Sequence, residues 1–339
     1  MQLRLHQFEL ELAQPFKIAR DSYDRRQTLI VELYDGKYSG FGEAIAHSYY
    51  GVDVTEMKNE LEALRPQIES YLLKNPEDFY QFFLQKYFSE MPFLRCALDE
   101  AAHDIWAQRL QLPLYAAWGL SLTKRPLPVS NFTIGIGTVD EMMAKIEAQP
   151  NPIYKIKLGT PNDLEIVENL KKYTSAALRV DANCGWTVAE TIYNSKYLKQ
   201  MNVEFIEQPL AAEAWEEMEE VFAKSKLPIV ADESCRTEQD VAKCHRRFHG
   251  INIKLVKCGG LTPARRMIAD ARCLDMQVMV GCMTESSVGI SAIAHLLPLL
   301  DCVDMDGALL LRNDPASGVT LDFGKAIFTN KNGIGCSLK

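Results

Sequence analysis

Segments that read as short strands recur at a nearly constant interval along most of this chain. From Lys157 the markers fall at Asp181, Glu207, Asp232, Lys254, Gly281 and Asp304, in steps of 24, 26, 25, 22, 27 and 23 residues. One strand plus one helix fits each step. The stretches between, 163–173, 187–201, 211–225, 238–247, 262–274 and 286–300, read as helices. Several open on Thr, Ser or Asp near the N-cap. A strand near 128–136 and a helix over 139–148 add a unit at the front. Eight strands result, the number that closes a (β/α)8 barrel, in which active sites sit at the C-terminal strand ends.

The strand ends are charged in a patterned way. Strand side chains alternate faces. In 152–159, Tyr154, Ile156 and Leu158 share one face, and Lys155 and Lys157 the other. Arg179, Asp181 and Asn183 share a face, as do Asn252 with Lys254 and Asp304 with Asp306. The alternation is weakest at Glu207, where Glu204 and Ile206 blur the faces. Such a pattern describes a barrel whose strand ends line a charged cup.

Residues 1–125 break the rhythm and predict an α+β capping domain. Segments 1–12 and 27–34 alternate like antiparallel strands, and Asp35-Gly36 reads as a hairpin turn into 38–44. Helices are expected over 53–71, 76–86 and 91–109. The barrel is expected over 126–310, with a tail from about 311 to 339 that returns to the cap. At 47% hydrophobic the chain can bury a large core. A net charge of −8 without a basic cluster argues against a nucleic acid or an anionic membrane as partner. No apolar run approaches the length of a membrane span, and no signal-peptide core stands at the front. Nine scattered cysteines without a metal-type spacing suggest reduced thiols in a cytoplasmic protein.

Asp181, Glu207 and Asp232 would end three successive strands. Three carboxylates in a dry cup need a cation. Hard oxygen donors select Mg²⁺, or Mn²⁺, over zinc. Lys157 and Lys254 fall on strands two and six of eight, on opposite sides of the mouth. A lysine base needs its pKa lowered from about 10.4, and Lys155 with a nearby metal would push that of Lys157 down. Two bases facing across a metal suit removal of a proton from one face of a carbon beside a carboxylate and its return to the other face.

Lys155-Ile156-Lys157, the run from Asp181 to Trp186, Glu207-Gln208-Pro209-Leu210, Asp232-Glu233-Ser234 and Lys254 through Gly260 occur in register. Together they resemble the enolase superfamily and, within it, the muconate-lactonising subgroup, over essentially the whole chain. The resemblance implies a modified (β/α)8 barrel under an N-terminal cap, with a lysine base working beside Mg²⁺. It implies that Asp181, Glu207 and Asp232 bind the metal and that Lys157 and Lys254 are the acid–base pair, with Lys155 tuning its neighbour. It also implies supporting roles for Asn183 and Glu233. Lys257 competes with Lys254, and alternation with the distance to Gly259-Gly260 favours Lys254. Members are often oligomeric, which implies a homo-oligomer here.

The subgroup carries out cycloisomerisation, dehydration to o-succinylbenzoate, N-acylamino acid racemisation and dipeptide epimerisation. Asp304-Met305-Asp306 looks like the signature of dipeptide epimerases. Two acids on one face suit a dipeptide's free ammonium and would repel muconate or a succinyl group. Side-chain selection is expected from loops near 16–26 and 47–52. Asp21 falls where L-Ala-D/L-Glu epimerases carry an arginine, which implies a neutral, small or hydrophobic second residue, whereas Arg20, one position away, could restore the Glu reading. Thr133, Cys282 and Met283 are expected to face the substrate, and His47 stands near the mouth. The alternatives are an L-Ala-D/L-Glu epimerase specifically, an o-succinylbenzoate synthase or N-succinylamino acid racemase, and a dead binding protein. No G-x-S-x-G supports a hydrolase.

Overall fold

The computed structural model describes residues 1–18 and 21–339. The alternating N-terminal segments form an antiparallel sheet of β1 (Gln2–Ile18), β2 (Asp21–Tyr34) and β3 (Ser39–Ile45). The β1–β2 ladder runs from Gln2↔Tyr34 to Ile18↔Asp21. This corrects the expected loop at 16–26, because the hairpin continues through Phe16↔Tyr23 and Lys17↔Ser22. The register breaks between Glu11 and Phe16, where Pro15 cannot donate to a ladder. The helix Pro92–Arg109 lies on this sheet. Its approach is so close that a Cβ on Gly42 would collide with the Ala97 carbonyl.

Eight parallel strands follow in sequential order: β4 (Phe132–Ile134), β5 (Ile153–Lys157), β6 (Ala177–Asp181), β7 (Val203–Glu207), β8 (Ile229–Ala231), β9 (Gly250–Lys254), β10 (Gln277–Gly281) and β11 (Cys302–Asp304). A parallel bridge, Ser130↔Val303, joins the two edges. Helices occupy the connections where the spacing places them. Thr138, Thr187 and Thr237 each form a capping box, with Glu141, Glu190 and Asp240. The expected helix over 286–300 is shorter, Ser287–Ala294, with a separate 3-10 turn at Leu297–Leu299 built around Pro298.

The blurred faces of β7 have a structural cause. Leu178 pairs with Val203, yet Val180 pairs with Ile206, so β7 carries one extra residue against β6. Such a bulge reverses the parity beyond it. Glu207 therefore ends buried, while Glu204 stays partly exposed and pairs with Arg179.

The cap docks on the barrel's C-terminal side through polar contacts. Glu43 of β3 accepts from the Ser286 hydroxyl and from the Ser286 and Gly289 N–H groups. Asp99 accepts from the Thr262 N–H and hydroxyl. The tail touches the cap at Leu12↔Leu311 and where the Ile334 N–H donates to Asp104. Among the described residues no helix is long and apolar enough to cross a membrane.

Candidate active site

The charged strand ends converge beneath the cap. Asp181, Glu207 and Asp232 are fully buried, and oxygen atoms from all three lie within 4.8 Å of one another. Lys155 Nζ stands 3.3 Å from Asp181, 2.8 Å from Glu207 and 3.0 Å from Asp304. Lys157 Nζ donates to Asp181 at 2.6 Å and Lys254 Nζ to Asp232 at 2.9 Å. β5 and β9 are four positions apart in an eight-strand sheet, so these two lysines stand on opposing walls. Lys257 also pairs with Asp232 but does not line the central cavity, whereas Lys254 does.

Residues that look strained hold this cluster. Asn183, Cys184 and Gln208 adopt positive φ at 46°, 65° and 34° just past the strand ends, a conformation side chains other than glycine seldom take. The turn aims the Asn183 N–H at Asp181 (2.9 Å). Gln208 Oε1 accepts from the N–H groups of Asp232 and Ser234. Asn252 Nδ2 donates to Glu207 Oε1 at 2.9 Å. It fits because the adjacent strand ends in Gly281, where a Cβ would come within 2.6 Å of the Asn252 oxygen. Gln208 and Asn252 were not singled out as site residues by sequence, although Asn252 shares the polar face of Lys254.

The electrostatics are divided. Burial raises all three carboxyls. Lys157 and Lys155 outweigh it at Asp181, which falls to about 2, and Lys254 and Lys257 outweigh it at Asp232, which lies well below the usual carboxylate range. At Glu207 burial wins over Lys155, Asp181 and Asp232 add repulsion, and the carboxyl is pushed up to about 7. Burial disfavours the ammonium of Lys254, yet Asp232 overrides it and holds this lysine above its ordinary range. Lys155 is likewise held high, against burial, by Asp304, Glu207 and Asp181. Glu207 Oε2 is buried, and the Lys155 ammonium 2.8 Å away is its ion-pair partner. Three buried hard oxygen donors within 4.8 Å of one another, and their mutual repulsion, fit a divalent cation.

The second acid pair stands across the mouth. Asp304 receives hydrogen bonds from Lys155 (3.0 Å) and Asn131 (2.7 Å), and Asp306 from the Thr133 N–H (2.6 Å). Lys155 and Lys157 overcome burial and lower Asp304, whereas burial and then Asp304 push Asp306 up to about 8. Thr133, Cys282 and Met283 line the cavity, as do Asn183 and Glu233. The cap supplies Phe16, Ile18, Tyr23, Arg26, Ile45, His47 and Tyr50. Asp21 is absent from the lining and instead holds Arg26 at 2.6 Å. Arg20 lies outside the described residues. Arg26 and Tyr50 lie within the two cap segments expected to select the side chain, 16–26 and 47–52, although neither was singled out there as a residue that lines the cavity.

The chain thus folds as a capped parallel barrel with two lysines opposed across a buried carboxylate triad. The mandelate racemase / muconate lactonizing enzyme N-terminal domain family matches residues 2–119, and the enolase C-terminal domain-like family matches residues 138–338. The chain therefore belongs to the enolase superfamily, in its mandelate racemase / muconate lactonizing enzyme group. It is 51% identical to an L-Ala-D/L-amino acid epimerase of Flavobacterium johnsoniae, over the full length of both. It is 50% identical to another from a Maribacter species, over all of this chain and 99% of that one. A dipeptide epimerase from Cytophaga hutchinsonii, solved with Mg and D-Ala-L-Val, superposes with a TM-score of 0.91 at 25% identity, covering 100% of this chain and 96% of that one.

Proposed function

We propose that this chain is a dipeptide epimerase that inverts the α-carbon of the C-terminal residue of an Ala-Xaa dipeptide by 1,1-proton transfer between two lysines. The observation that carries the reading is the placement of Lys157 and Lys254 on opposing walls, with Asp304 and Asp306 on the same mouth. The similar proteins, two L-Ala-D/L-amino acid epimerases and a dipeptide epimerase, point the same way.

In one direction Lys157, as the free amine, takes the α-proton from one face. The electron pair moves into the adjacent carboxylate. Lys254, as the ammonium that Asp232 favours, returns a proton to the opposite face, and the reverse direction exchanges the roles. Lys155 stays charged and sits between both acid groups. Asp304 and Asp306 receive the dipeptide ammonium. Asp181, Glu207 and Asp232 would hold Mg²⁺, which supplies positive charge against the extra negative charge the substrate carboxylate gains as the proton leaves. Phe16, Ile18, Ile45 and Met283 make much of the remaining wall apolar, which favours a neutral second residue. An o-succinylbenzoate synthase or N-succinylamino acid racemase reading would place a succinyl carboxylate against two buried acids.

The test is a dipeptide screen in D₂O with Mg²⁺, followed by mass spectrometry for gain of one mass unit. Label entering Ala-Xaa dipeptides, and lost on chelation, is the expected result. No label in any dipeptide from metal-loaded protein overturns the reading.

A further inference from the structure

We propose that Asp21 determines which side-chain charge the pocket accepts, by neutralising the guanidinium of Arg26 at the cavity wall; the inference rests on the epimerase reading above. Among the described cap residues that line the cavity, Arg26 is the one permanent charge. Its side chain is only 12% exposed, and its guanidinium carbon lies 3.6 Å from the centre of the Tyr23 ring. The Tyr23 hydroxyl is in turn bonded to the Thr284 hydroxyl across the cap–barrel junction at 2.9 Å. Arg26 is thus fixed over the mouth by a stack that the barrel itself anchors.

A fixed, poorly solvated arginine at a pocket wall is a receptor for a carboxylate unless something already occupies it. Asp21 occupies it. One Asp21 oxygen accepts from Arg26 at 2.6 Å and the other from the Ser22 N–H at 2.9 Å. The backbone therefore holds this carboxylate in place, at the end of the β1–β2 ladder where Asp21 pairs with Ile18. A side-chain carboxylate of the substrate must compete with an internal anion that has no association entropy to lose, and meets like-charge repulsion. A neutral side chain meets a flat, charge-balanced surface. Asp21 is accordingly a specificity-determining residue that acts through Arg26 and does not touch substrate.

The experiment measures kcat/KM of wild type, Asp21→Asn, Arg26→Gln and the double variant with L-Ala-L-Leu, L-Ala-L-Glu and L-Ala-L-Lys. D21N is expected to raise the Glu-to-Leu ratio by about tenfold or more, consistent with an unmasked charge-assisted contact. The double variant is expected to abolish that gain. R26Q, leaving Asp21 alone, is expected to move the Lys-to-Leu ratio upward. A merely structural role for Asp21 would scale all three substrates together. That result, or a Glu gain that survives in the double variant, overturns the proposal. Turnover of any dipeptide by wild type keeps the epimerase reading intact in either case, and its absence from all three substrates would count against that reading instead.

Discussion

Lys157 and Lys254 each lean on a different carboxylate, and each carboxylate keeps a second lysine partner: Lys155 for Asp181 and Lys257 for Asp232. Either base can therefore be removed without leaving a buried acid unpaired. Lys157→Ala and Lys254→Ala are each expected to slow epimerisation by about 10²–10⁴-fold, the usual contribution of a positioned acid–base group. The surviving lysine still faces one side of the α-carbon. The two variants should therefore exchange the α-proton of opposite epimers with deuterium, as read by proton NMR of L-Ala-L-Xaa and L-Ala-D-Xaa. Exchange of the same epimer by both would remove the opposed-base assignment. Asp304→Asn keeps the shape that Asn131 and Lys155 contact but loses the charge facing the ammonium. That contact serves ground and transition states alike, so KM should rise roughly 10- to 100-fold with little change in kcat. An unchanged KM in steady-state kinetics would exclude the ammonium role.

At the scale of elements, the site depends on strand parity, and parity was largely legible. Lys155 with Lys157, and Asp304 with Asp306, could be assigned to inward faces because two-residue alternation survives in β5 and at the end of β11. Glu207 resisted because the extra residue in β7 appears only once its pairing with β6 is known. The hairpin over 16–26 was hidden for a similar reason. Its polar sequence reads as loop, and pairing such as Phe16↔Tyr23 makes it strand. Tyr50 and Arg26 fall in the two cap segments expected to select the side chain, but which residues of those segments face the cavity depends on the docking of the cap, which no local pattern encodes. Gly281 shows what one element's end does for another. A Cβ there would press on both terminal atoms of Asn252, at 2.6 and 2.9 Å, and displace the amide from Glu207. Gly281→Ala is expected to cost about 1–3 kcal/mol in overpacking and to weaken Mg²⁺ binding about tenfold. Calorimetric titration of Mg²⁺ into the folded variant checks this, and an unaltered affinity would show that Asn252 does not orient Glu207.

Across the whole molecule, cap and barrel meet over acids whose carboxyls burial pushes above their ordinary range. Glu43 from β3, Glu100 from the cap helix and Glu285 beyond β10 influence one another, and all three are raised, Glu285 to about 8. Burial is the first cause for each, and repulsion from the neighbouring carboxyls adds to it at Glu100 and Glu285. Asp99 and Asp104 are raised by burial as well, to about 7 and about 6. A carboxyl whose folded pKa exceeds its unfolded value binds more protons in the folded state, so stability falls as pH rises between the two values. For Glu285 that window runs from 4.5 to about 8. The contribution is full below the unfolded value and is lost as pH climbs through the folded one. The midpoint of urea unfolding should therefore decline steadily from pH 5 to pH 8. Glu285→Gln, which cannot ionise, should flatten that decline by an amount on the order of a few kcal/mol across the window. The Gln variant also keeps an oxygen for the Met283 N–H that Glu285 now accepts at 2.7 Å, so local geometry is preserved while the titration is removed. A variant whose midpoint falls with pH as steeply as that of wild type would mean that this junction does not bind the protons, and that the pH dependence arises at Asp99, Asp104 or the site carboxyls instead.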